Sequence, residues 1–141
     1  MRNFKFFIVA LILVSCNRDD CSDKLDFKLD YHLFESIKVD GNDYCDLVLL
    51  SLENDKNSVI NISKVDLSDF ASYQHGAVLI NVIEKYGEDR YIKDVFNDLS
   101  NEKRNLVIAS LKAGVEFYKS SKKRNLNDFN TSFPKLSNIQ N

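Results

Sequence analysis

Tryptophan is absent from this chain, proline occurs once, at Pro134, and glycine only four times in 141 residues. So little glycine and proline excludes a collagen-like or low-complexity scaffold. Histidine is nearly as scarce: there are two, His32 and His75, far apart and without neighbours at metal-ligand spacing. No His-Glu-x-x-His, Cys-x-x-Cys, Gly-x-Ser-x-Gly or phosphate-binding loop occurs, so none of the chemistry those patterns carry is marked. No cofactor and no metal site is implied, and the balance leans away from an enzyme. An excess of basic charge is also missing. Nineteen Lys and Arg stand against 21 Asp and Glu, for a net charge of −2, which argues against a nucleic-acid binder or a general anionic-membrane binder. Nor does any apolar run approach the ~20 residues of a spanning helix; the longest is Phe6 to Val14.

What surrounds that run is informative. Arg2 and Lys5 precede it, and Ser15-Cys16 closes it. A cationic start, a short apolar stretch and a small residue before the cut are the parts of a secretory signal peptide. Leu13-Val14-Ser15-Cys16 resembles the lipobox of bacterial lipoproteins. The resemblance implies that residues 1–15 are removed, that the Cys16 thiol takes a diacylglycerol, and that the new amine receives a further acyl chain such as palmitate. Each buried methylene contributes about 0.8 kcal/mol, so two or three chains anchor a protein stably. The implied location is the bacterial cell envelope. Asn17-Arg18-Asp19-Asp20 looks like an export tag for surface lipoproteins and equally suits a plain solvated tether. The cell surface and the periplasmic face of the outer membrane both stay open.

With Cys16 acylated, Cys21 and Cys45 are the remaining thiols. Two cysteines in an oxidising envelope usually pair. A bridge between them would stabilise the fold by about 3 kcal/mol in the chain-entropy model. Two free thiols remain the other reading.

The chain beyond the signal is long enough for one domain. Residues 16–30, polar apart from Leu25, Phe27 and Leu29, read as the acylated cysteine and its tether. Residues 31–124 read as the domain, and 125–141, rich in Asn and Ser, as a loosely ordered tail. The fold class is mainly α: a small antiparallel helical domain with three helices within about 66–119. A helical or hairpin segment precedes it, and the hairpin would move the class toward α+β. Ile37 to Leu50 surrounds Asp40-Gly41-Asn42-Asp43 as a hairpin surrounds a turn, yet Leu47 to Leu52 suits a short buried helix equally well. The later segments carry agreeing signals. Asp66 is placed to cap a first helix whose stripe is Phe70, Tyr73, Ala77, Ile80 and Ile83, stopped at Gly87. A second helix from Glu88 or Asp89 carries Tyr91, Ile92, Val95, Phe96 and Leu99. Ser100 caps a third, with Leu106, Val107, Leu111, Val115 and Tyr118 inward.

Functional candidates are few. Gly76 inside the first helix costs about 1 kcal/mol against alanine, which points to close helix packing there. His75 beside it is the candidate functional histidine, against the alternative of a packed or surface side chain. Asp40-Gly41-Asn42-Asp43 lacks the ligand spacing of a calcium loop and reads as a turn. Lys119, Lys122, Lys123 and Arg124 read as a solvated helix end that suits the dipole, against the alternative of a patch that touches lipid head groups or an acidic partner. The expected function is a lipid-anchored envelope module that binds another protein, an immunity or inhibitor protein being one form. A hydrolase with carboxylates in a cleft is the alternative.

Overall fold

The computed structural model describes residues 21–140. Leu13 to Cys16, the residues that resemble a lipobox, lie outside the described residues. The domain is mainly helical, as expected, with a single two-stranded ladder.

Each reading of the ambiguous segment holds in part: a hairpin forms, but its second strand falls within the four residues read as its turn, and the stretch read as that strand is helical. Lys38–Val39 (β1) and Asn42–Asp43 (β2) pair antiparallel across Asp40-Gly41. Asp40 and Gly41 both have positive φ, 50° and 82°, as the favoured two-residue hairpin turns require. Asp43 then ends the ladder and caps α1 (Tyr44–Leu52), accepting a hydrogen bond from the Asp46 N–H at 3.0 Å. Tyr44, Leu47, Val48 and Ser51 are buried at helical spacing, so the stretch that resembled a second hairpin strand is a helix. Asp55 caps α2 (Lys56–Ser63) in the same way, from the Ser58 N–H at 2.8 Å.

The central element is α3 (Asp69–Tyr86). Every residue from Gln74 to Ile80 is buried, so this helix is enclosed all round rather than along one stripe. Its start corrects the expected cap. Asp66 lies before the helix, Ser68 occupies the cap position without a side-chain bond, and Asp69 enters with φ 54°. The first turn therefore extends past the packed core, and Phe70 and Tyr73 of the expected stripe are exposed. At the other end Gly87, φ 91°, donates to the Ile83 carbonyl and accepts from the Tyr91 N–H, both at 2.8 Å. It closes α3 and opens α4 (Glu88–Asp94). A 3₁₀ turn at Phe96–Asp98 follows, and Ser100 caps α5 (Asn101–Ser121), accepting from the Lys103 N–H at 3.3 Å.

The expected antiparallel packing does not extend to the two longest helices. Contacts between α3 and α5 climb together: Gly76 with Gly114, Asn81 with Tyr118, Glu84 with Arg124 just beyond the helix. The two longest helices therefore run in the same direction. The segment between them, α4 with the 3₁₀ turn up to Ser100, carries the chain back to the start of α3, where the Lys103 ammonium donates to the Lys64 carbonyl at 3.3 Å. Gly76 and Gly114 meet at the crossing. A Cβ on Gly76 would lie 1.9 Å from the Ser110 carbonyl oxygen, and one on Gly114 2.3 Å from the Gly76 carbonyl carbon.

Both chain ends differ from expectation. Residues 21–30 are not tether: Cys21, Leu25, Phe27 and Leu29 are buried in the core. Cys21 is bridged to Cys45 with Cα atoms 5.4 Å apart. The tail is packed as well. Asp128 caps α6 (Phe129–Ser132), Pro134 opens α7 (Pro134–Gln140), and Phe129, Phe133 and Leu136 are buried. Their i, i+4, i+7 spacing is a helical face that the surrounding Asn and Ser residues obscure. Glu88 accepts the N–H groups of Lys135 and Leu136 at 3.0 and 2.9 Å, which ties α7 to α4.

Candidate functional site

His75 is in the core. Its Nδ1 lies 2.7 Å from the Tyr44 hydroxyl, and Phe34 stacks on the Tyr44 ring at 4.4 Å. Burial lowers the His75 pKa to about 4 and raises that of Tyr44 well above the usual phenol range. The ring is therefore neutral at pH 7. Its Nε2 has no hydrogen-bond partner among the described residues, a state that costs roughly 1–3 kcal/mol. The pair is sealed under Phe34, so it orders the core beside the disulfide and has no route to a substrate. His32 is on the surface, 3.7 Å from Glu35. Among the described residues, no group of three His, Cys, Asp or Glu side chains is placed to hold a metal ion. Asp40-Gly41 is the hairpin turn, and Asn42–Asp43 is its second strand.

A second cluster had no signal in the sequence. Asp26, from the N-terminal segment, accepts hydrogen bonds from Tyr118, from Asn81 at 3.2 Å, and from Arg124. Arg124 also bonds Glu84 at 2.6 Å and lies over the Tyr118 ring at 4.9 Å. Arg124 is thus not a solvated helix end, although Lys122 and Lys123 beside it are exposed. Burial pushes Asp26 upward, but the Tyr118 and Asn81 hydrogen bonds and the Arg124 charge outweigh it and hold the carboxyl below its usual range. Burial and the bond to Asp26 raise Tyr118. The partners are 98 residues apart in sequence, and a contact that distant leaves no local pattern. Chemically the cluster is closed. Asp26 stays ionised and engaged, which suits a staple and not a proton-transfer group.

The surface also carries exposed apolar side chains. Phe70 and Tyr73 are 57% and 44% exposed, one turn apart at the start of α3. Leu50 and Ile139 are exposed singly. No described helix is long and apolar enough to cross a membrane.

Fold and surface together define a class: a small, mainly helical, disulfide-pinned domain. No protein-family model, curated protein or solved structure matches the chain.

Proposed function

We propose that this chain is a lipid-anchored cell-envelope protein whose helical domain binds another protein. The observation that carries the reading is the aromatic pair Phe70 and Tyr73, held in water at the start of a helix whose middle, from Gln74 to Ile80, is enclosed. Large aromatic side chains left outside a well-packed core are the usual anchors of a protein interface. Leu67 and Ala71, both half-buried, border them in sequence. The carboxylates that Arg124 draws together, Asp26 and Glu84, are both engaged by it, which disfavours that pair as the acid and base of a hydrolase. An immunity or inhibitor protein acting in the envelope is one concrete form of the binder. The lipobox resemblance supports the anchor, at the cell surface or the periplasmic face of the outer membrane.

A photo-reactive amino acid at position 73, compared with one at the exposed position Glu116, tests the reading in intact cells. One discrete adduct from position 73, lost when Phe70 is also changed to serine, is the expected result. Equal adducts from both positions, or none from either, would contradict it.

A further inference from the structure

The N-terminal segment enters the fold at a fixed point. Cys21 is fully buried and bridged to Cys45, so the chain cannot peel away from the domain beyond it. Between Cys16 and Cys21 lie five residue steps, at most about 18 Å when fully extended. A domain of this size is wider than that leash. With Cys16 acylated, the side of the domain around residues 21–30 is therefore always within reach of the lipid headgroups.

That side collects lysines from three parts of the chain. Lys24 and Lys28 are exposed on the segment itself. The Asp26–Arg124 bond brings in the end of α5, so that Lys28 and Lys123 line one open cleft with Ser22, Asp26 and Phe27. Lys24 and Lys85 line a second, with Leu49, Leu52 and Glu53. Lys122, exposed beside Lys123, completes the rim. Of the acidic groups there, Asp26 and Glu84 are engaged by Arg124, which leaves Asp23 and Glu53 against five lysines, while the leash itself adds Arg18 against Asp19 and Asp20. This is a local basic rim on a chain that, without residues 1–15, holds 17 basic against 21 acidic residues, a net charge of −4.

We infer that this rim of Lys24, Lys28, Lys85, Lys122 and Lys123 rests on an anionic lipid surface and fixes the orientation of the domain on the membrane. The inference depends on the Cys16 anchor proposed above. A lysine near an anionic leaflet is attracted within about a Debye length, and the leash keeps the rim inside that distance. Phe70 and Tyr73 sit at the opposite end of α3 from Lys85, about 20 Å away along the axis, so the same orientation presents them to the aqueous phase.

The test uses the full acylated protein inserted into preformed vesicles of phosphatidylglycerol and phosphatidylethanolamine, into vesicles of phosphatidylcholine alone, or held in neutral detergent micelles. Lysines are acetylated with a water-soluble reagent and the rates read by mass spectrometry. On the anionic vesicles the five rim lysines should react at least fivefold more slowly than in micelles, with Lys64 and Lys103 unchanged. Uniform reactivity would overturn the orientation, and equal protection on phosphatidylcholine would overturn the role of charge. Intact mass of the same sample reads the anchor separately. An unmodified Cys16 would overturn anchor and orientation together, whereas an acylated Cys16 with uniform lysine rates would overturn the orientation alone.

Discussion

Replacing Gly76 with alanine puts two effects of opposite sign into competition. Alanine favours a helix over glycine by about 1 kcal/mol, so at an exposed position the change would stabilise. Here the new Cβ would meet the Ser110 carbonyl oxygen at 1.9 Å and the Gly114 nitrogen at 2.5 Å. Both are backbone atoms inside α5 and neither can rotate away. Restoring ordinary contact requires the two helices to separate by roughly 1.5 Å, when a gap of 0.5–1 Å already forfeits a quarter to a half of a packing contact. Overpacking of this kind costs about 3 kcal/mol or more, so the net loss is at least ~2 kcal/mol. For a domain of this size that lowers Tm by roughly 6–10 °C. Urea and thermal unfolding followed by circular dichroism measure it. An alanine variant as stable as the parent, or more stable, would refute the helix crossing.

Further outcomes follow from the same contacts. Mature protein alkylated without reduction should show Cys21 and Cys45 unmodified, and reduction should cost about 3 kcal/mol of stability; two alkylated thiols would rule out the bridge. His75, with its pKa lowered to about 4, stays neutral in the folded chain while the unfolded chain binds a proton below about pH 6.5. Stability should thus fall as pH drops from 6.5 toward 4, by on the order of 3 kcal/mol, and His75→Gln should remove that slope; equal slopes in both would refute the assignment. Asp26, lowered in the folded state, contributes stability present above about pH 4 and lost as pH falls through its folded value. Because the group is about a third exposed, Arg124→Ala should cost about 1 kcal/mol at pH 7, and a change within error of zero would show the cluster to be idle. Ile80→Asp, at a position with no exposed surface, should leave the chain unfolded by circular dichroism.

Legibility in the sequence tracked the range of the interaction. Gly87, Ser100 and the hairpin turn at Asp40-Gly41 are local devices, and each could be read from a few residues. Gly76 was readable because a glycine in mid-helix needs a reason. The cap at Asp66 misled because Ser68 and Asp69, equally good candidates, start the helix later and carry Phe70 and Tyr73 out of the core. Residues 21–30 and 125–140 misled for a shared reason. Their apolar side chains are few, and they pack only because α3, α4 and α5 supply the surface. The Asp26–Arg124 staple and the same-direction pairing of α3 and α5 arise from tertiary contacts, on which local composition is silent.

The central claim, an envelope protein anchored at Cys16, is met most directly by intact mass spectrometry of the protein purified from detergent-solubilised envelopes, with Cys16→Ser alongside. The predicted chain begins at Cys16 and carries a thioether-linked diacylglycerol and a palmitate-class amide, while the serine variant keeps residues 1–15 and takes up no palmitate analogue. A chain still beginning at Met1 with a free Cys16 thiol, or a serine variant that labels equally, would contradict the account.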